Sequence, residues 1–185
     1  MGPAYNLNEF KKEIIDGKVY YMSPSANPRH GRAIGNIYYI FKSYLKGKTC
    51  EVFTDTIEIF LNEEGTDKVI PDVSVLCDPE KFTDKGYHGI PSLIVEVISP
   101  TSIKRDRETK FYKYEAYGVG EYWIVDPLNK SIEQFILREG KYRLAGVYTQ
   151  LDEAEKERLY EEQEVVKQFK TSLFSEFIID IDDIF

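Results

Sequence analysis

The stretch Ser92–Pro100, SLIVEVISP, reads as a buried strand with a carboxylate, Glu96, at its centre. An unpaired carboxylate in a protein interior costs several kcal/mol or is forced to take up a proton. Any fold available to this chain must therefore bring a compensating group to the middle of that strand. Side chains alternate faces along a strand, so Ile94, Glu96 and Ile98 share one side.

Two flanking segments offer compensators. Upstream, VIPDVSVL (69–76) places Ile70, Asp72, Ser74 and Leu76 on one side. If the two strands are neighbours, the carboxylates of Asp72 and Glu96 point the same way. Pro71 cannot donate to a ladder, so it marks an edge, a bulge or a strand start. Paired carboxylates repel, and a hard divalent cation is the usual remedy. Downstream, a helix is expected over about Lys104–Tyr117. At about 100° per residue, Phe111, Tyr114, Tyr117 and Gly118 form its inward face. Lys110 falls inside that arc and Asp106 lies at its border one turn earlier. Lys110 can thus compensate Glu96 directly, or help position a metal-bound water.

The rest of the chain reads as one α/β (α+β) domain over 1–185 with an acidic helical insertion near 151–164. Its length suits one domain with a real core. Asp16-Gly17 predicts a hairpin within EIIDGKVYYM. A Ser/Pro/Asn loop, SPSANPR, follows, and then a helix from about His30 to Leu45, with His30, Ile34, Ile37, Phe41 and Tyr44 at helical spacing. Strands are expected at Cys50–Leu61, Val69–Leu76, Leu93–Ile98 and YWIVD, with a hairpin of Ser131–Leu137 and Lys141–Tyr148. An acidic helix near Asp152–Glu164 and a strand near Phe177–Ile181 complete the pattern, which predicts a mixed β-sheet flanked by helices.

Charge and cysteines narrow the setting. A net charge of -8 weighs against a protein that coats nucleic acid by bulk electrostatics. The charge is uneven, however: residues 151–164 hold seven acids and two bases, whereas 104–113 hold five bases and two acids. Cys50 and Cys77 match no metal or redox spacing and read as reduced thiols. With no signal peptide and no apolar run near the ~18 residues of a membrane span, the expected location is cytoplasmic and no membrane partner is expected.

Four runs together resemble a known family: PDVSV, then LIVEVISPTS, then RDRETKFYKY, then GVGEYWIVDP. They stand in the order and spacing of the Uma-two family of restriction-endonuclease-like proteins, within the PD-(D/E)XK nuclease superfamily. The resemblance runs from the first hairpin to the terminal IIDIDDIF. It implies a restriction-endonuclease-like fold and metal-dependent hydrolysis of nucleic acid, with DNA as the expected substrate, Mg²⁺ or Mn²⁺ as cofactor and a homodimer as the assembly. By the same resemblance Asp72 and Glu96 are catalytic metal ligands, with the Val97 carbonyl as a third. The lysine usual two residues after the glutamate is replaced by Ile98, and Lys110 on the following helix takes its catalytic place.

His30, Glu58 and Asp106 are secondary candidates for shaping the site or holding a second metal, and Lys104, Arg105 and Arg107 for touching phosphates. The competing reading of Glu96 and Lys110 is a purely structural ion pair. Trp123 and Tyr122 read as core packing, and Glu121 as a connector. At the level of function, the alternative to an endonuclease is a catalytically silent, oligomerising module with a nuclease fold.

Overall fold

The computed structural model describes residues 11–22, 27–157 and 166–185. Strands β1 (Lys12–Ile15) and β2 (Lys18–Tyr21) form the expected hairpin. Asp16 and Gly17 both have positive φ, 52° and 72°, as a two-residue hairpin turn with the twist of its strands requires. Helix α1 (Pro28–Leu45) starts with Pro in its first turn and is capped by Asn27, whose side chain accepts from the His30 N–H at 3.0 Å. Ala33, Ile37, Phe41 and Leu45, one helical turn apart, are its buried face.

The strand expected over 50–61 is two strands in different sheets: β3 (Glu51–Thr54) and β4 (Ile59–Phe60). The alternation continues through the break because both halves are partly buried, so period two alone does not reveal the change of sheet. The strand expected over 69–76 likewise divides into β5 (Lys68–Val69) and β6 (Val73–Leu76) around Pro71, which has no ladder N–H to give. Two strands too short to show a period follow, β7 (Phe82–Thr83) and β8 (Gly86–His88). Gly86 has φ 136°, and a Cβ there would lie 2.2 Å from the Glu58 carbonyl oxygen, so only glycine fits.

Strand β9 (Leu93–Val97) is the Glu96 strand. The helix after it begins as a π-helix, Arg105–Lys110, and continues as α2 (Phe111–Tyr117), ended by Gly118 at φ 85°. Strands β10 (Glu121–Asp126), β11 (Ser131–Arg138) and β12 (Lys141–Thr149) follow as expected. Of the acidic helix only α3 (Glu153–Lys156) is described, and residues 158–165 lie outside the described part. The expected last strand is β14 (Ile178–Asp180), paired with an unforeseen β13 (Gln168–Lys170).

The central sheet runs β12-β11-β10-β9-β6-β3, with β9 and β10 parallel and the other neighbours antiparallel. This is the expected mixed sheet with flanking helices. Its alternation feeds two cores. Val73, Val75, Val95, Val97, Trp123 and Val125 pack with α1 and β14 on one face. Leu76, Ile94, Ile98, Tyr122 and Ile124 pack with Tyr114 of α2 and with the second sheet, β2-β1-β5-β4-β8-β7, on the other. No helix among the described residues is long and apolar enough to cross a membrane.

The cysteines are not free. Register pairs Glu51 with Leu76 across β3 and β6, so Cys50 and Cys77 stand opposite one another and close a disulfide. Their separation of 27 in sequence conceals a pairing that the sheet creates. It also removes the free-thiol argument for a reducing compartment.

Candidate active site

The ladder between β6 and β9 pairs Val73 with Val95. One step further it sets Asp72, at the start of β6, opposite Glu96, on the same face of the sheet. Asp72 Oδ2 accepts the Val97 N–H at 2.7 Å, and its Oδ1 lies 3.5 Å from His30 Nε2, supplied by the first turn of α1. Glu96 Oε1 accepts from Lys110 Nζ at 2.8 Å and from the Tyr114 hydroxyl at 2.9 Å. The strand's buried charge therefore meets an amine from the next helix, as the sequence suggested.

Lys110 has a second partner that sequence reasoning missed. Its Nζ lies 2.8 Å from Oε1 of Glu13, a residue of β1 with no solvent exposure. The same Glu13 oxygen accepts the Ile70 N–H at 3.0 Å, which ties the first hairpin to the segment leading into Asp72. A signal was available. In β1, Glu13 shares a phase with buried Ile15, so period two already turns it inward. Tyr114 was placed on the inward face but not assigned a hydrogen bond to the acid.

The π-helix carries both buried polar residues of this turn, Asp106 and Lys110, and π-helical segments are frequent at functional sites. Asp106 Oδ1 lies 3.9 Å from Lys110 Nζ, and Arg105 Nε lies 4.0 Å from Glu13 Oε2. Three carboxylates, those of Glu13, Glu96 and Asp106, thus surround a single fully buried cation. Burial raises the Glu96 pKa well above the ordinary value; Lys110 opposes this, while Asp106, Asp72 and Glu13 add to it. Burial likewise raises Asp106, against the pull of Lys110. For Lys110, burial disfavours the charge, but Glu13, Glu96 and Asp106 outweigh it and hold the ammonium protonated. Burial and Glu96 keep the Tyr114 phenol neutral as a donor. For His30, burial acts against the charge, yet the hydrogen bond and charge of Asp72 leave its pKa raised.

Among the described residues no group of three His, Cys, Asp or Glu side chains is clustered as a ready-made metal site. Mg²⁺, however, is commonly held by one or two carboxylates with waters and substrate phosphates, and Asp72 and Glu96 supply hard oxygen donors of that kind. Glu13 Oε2 and Asp106 Oδ1 are buried without a hydrogen-bond partner, so the pocket holds acceptor oxygens that its own donors leave unused. In charge and donor type these residues fit such an ion.

The other candidates fall elsewhere. Glu58 pairs with Lys68 in the second sheet and is no partner of Asp72, Glu96 or Lys110. Arg107 makes a two-pronged bridge to Glu133, and Arg105 lies over the Tyr20 ring beside Glu13. Neither is free for a phosphate, and only Lys104 of that trio is fully exposed. Of Val97, the structure shows the N–H meeting Asp72, not the carbonyl. Glu121 is more than a connector: it is fully buried and accepts hydrogen bonds from Trp123 Nε1, Gln134 Nε2 and both the N–H and hydroxyl of Ser172, each at 2.6 Å. Four neutral donors satisfy it. Glu96, with one cation and one hydroxyl among competing acids, is in a different electrostatic position.

Comparison with known proteins bears on the family and the fold. A family model described as "Uma2: Putative restriction endonuclease" matches residues 4–167. The uncharacterized protein slr1290 of Synechocystis sp. is 32% identical over 105 residues, 56% of this chain and 54% of its own length. The chain therefore spans about half the length of that relative. A second protein of that organism, sll1609, is 27% identical over 128 residues, 68% of this chain and 71% of its own. A crystal structure from Anabaena variabilis, described as "a putative nuclease belonging to DUF820", superposes with a TM-score of 0.69 at 17% identity, covering 95% of this chain and 90% of that one. At that identity the likeness is one of fold.

Proposed function

The chain belongs to the Uma2 family, whose model is described as "Putative restriction endonuclease", and on that premise we propose that it is a metal-dependent phosphodiester hydrolase acting on nucleic acid, with Asp72, Glu96 and Lys110 as its catalytic residues. One observation carries the proposal: a buried, charged lysine lies 2.8 Å from a strand carboxylate, with a second carboxylate opposite on the neighbouring strand. Asp72 and Glu96 would hold Mg²⁺ or Mn²⁺, with the Val97 carbonyl as a further ligand. When bound, such an ion supplies Lewis-acid stabilisation of phosphoryl charge and a more acidic water.

The chain's own groups set the geometry. The Val97 N–H and His30 fix Asp72 from two directions, and the Tyr114 hydroxyl fixes Glu96. Lys110 stays charged, so it donates hydrogen bonds and positive charge towards the reacting phosphate and does not take up a proton. The sequence left open a role for this lysine in deprotonating the nucleophile; its raised pKa favours orientation and electrostatics instead. DNA is the favoured substrate on the family description, and a homodimer would supply the two sites that a double-strand cut requires.

Melting curves with and without Mg²⁺ or Mn²⁺ test the ion, because a ligand of the native state raises stability. Wild type should shift upward and the Asp72→Ala and Glu96→Ala variants should not; an equal shift in all three removes the metal site. Wild type should also nick supercoiled DNA in Mn²⁺, and Lys110→Arg should not. The second reading, a silent module with a nuclease fold, has its own support: Lys110 satisfies Glu13 and Glu96 without any ligand. Absence of metal-dependent nicking at any protein level would favour it.

A further inference from the structure

We propose that Arg29, Arg32 and Lys130 form an anchor for the phosphodiester backbone of the substrate, beside the catalytic carboxylates. The inference rests on the hydrolase reading for its substrate class. The three side chains line one cavity of about 170 Å³, walled also by Ala33, Pro127, Ile184 and Phe185. No Asp or Glu side chain lines it. All three cations are exposed, and among the described residues none has a carboxylate partner, whereas Lys11, Lys68, Arg107, Lys110, Lys113, Lys141 and Lys167 each do. In a chain with 32 acids and 24 bases, cations from two separate elements around one cavity that no Asp or Glu side chain lines are not the expected distribution.

Connectivity places this cavity at the end of the sheet that holds the site. Arg29 and Arg32 flank His30, which reaches Asp72. Strands β9 and β10 run parallel, with Val97 paired to Val125, and the turn carrying Pro127 and Lys130 follows β10 directly. Two further features fit a ligand. Helix α1 contains no Asp or Glu, so its N-terminal partial positive charge is reinforced by its own side chains, an arrangement that suits an anion and disfavours the isolated helix. Lys130 has φ 48°, in the left-handed region where Gly or Asn is less strained, so this turn retains a charged side chain against its backbone preference. Of the trio on the second helix, Arg105 and Arg107 are committed to internal contacts, and the phosphate role moves to α1 and the β10–β11 turn.

The test is fluorescence anisotropy of labelled single-stranded and duplex oligonucleotides in EDTA, across a salt series. Wild type is compared with Arg29→Ala/Arg32→Ala/Lys130→Ala and with Lys42→Ala/Lys46→Ala/Lys48→Ala, which removes the same charge from the far end of α1. The first variant should bind at least about tenfold more weakly near 0.1 M salt, with a log K against log salt slope shallower by about 2 for single strands or about 3 for duplex. The second should stay near wild type. Equal losses in both variants would reduce the effect to bulk charge and overturn the anchor, as would a wild type that binds neither oligonucleotide. Should the triple variant not fold, Arg32→Gln/Lys130→Gln carries the same comparison with a slope change of about 1.4 to 1.8. Nicking in Mn²⁺ separates the two readings. Binding without nicking sinks the hydrolase and leaves the anchor, while nicking and binding unchanged in the Arg29/Arg32/Lys130 variant sink the anchor alone.

Discussion

Lys110 is shared between Glu13 and Glu96, each 2.8 Å away and each buried. Removing one member of a buried ion pair leaves a charge without compensation, at a typical cost of about 3–5 kcal/mol. Lys110→Ala should therefore lose about that much in urea unfolding, and a loss below about 1 kcal/mol would mean that the acids are not held as described. The sequence showed Glu96, Asp72 and Lys110 because each interrupts a local pattern; Glu13 escaped notice because its partner lies far along the chain. A second residue has a pH signature. Asp67 accepts the Asp16 N–H at 2.8 Å and the Tyr117 hydroxyl at 2.7 Å, and lies 3.2 Å from Lys113. Burial alone would raise its pKa, but these partners leave it lowered. A carboxyl with a folded pKa below its unfolded value contributes stability above about pH 4, and that contribution is lost as pH falls through the folded pKa. Asp67→Asn should cost about 1–3 kcal/mol at pH 7, and the gap from wild type should narrow once the pH falls below 4. Denaturant curves at pH 7 and pH 2.5 check this, and a gap that does not narrow contradicts it.

Among the elements, α1, α2 and the strands β9 to β12 were legible because each is long enough to show its period and ends at a Gly, Pro or capping residue. The misreadings share one cause. Residues 50–61 and 69–76 keep a strand's alternation while the chain passes from one sheet to another, and no local propensity encodes that passage. The π-helical turn was invisible for a similar reason, since an inward Asp106 and Lys110 fit an α-helical wheel as well. Helix α1 yields an element-scale prediction. Gly35 is exposed in its interior, and a Cβ there would meet nothing within 4 Å. Alanine should then stabilise by about 1 kcal/mol through the unfolded chain's entropy, seen as a higher urea midpoint with unchanged slope. A destabilised Gly35→Ala protein would show that the helix is packed there against something further.

For the molecule as a whole, two cores grow on opposite faces of one sheet, and the candidate site draws residues from elements on both. His30 reaches Asp72 from the α1 side, while Glu96, paired with Lys110, faces the α2 side. Strand β6, which begins just after Asp72, is fixed at its other end by the Cys50–Cys77 disulfide to the edge strand β3. An edge strand of four residues contributes few ladder bonds of its own, so the cross-link matters to this border of the sheet. Closing a loop of 27 residues restricts the unfolded chain by about 3.5 kcal/mol in the chain-entropy account. For a protein of this size that corresponds to roughly 7–14 °C in melting temperature. The oxidised wild type should therefore melt higher than both its reduced form and Cys50→Ser/Cys77→Ser, and reductant should leave the double variant unmoved. Because β6 leads directly out of Asp72, the rise in melting temperature that the proposed metal site predicts with Mg²⁺ should also be smaller in the reduced protein. A wild type indifferent to reductant, with two titratable thiols by mass, would return the cysteines to the free state that the sequence suggested.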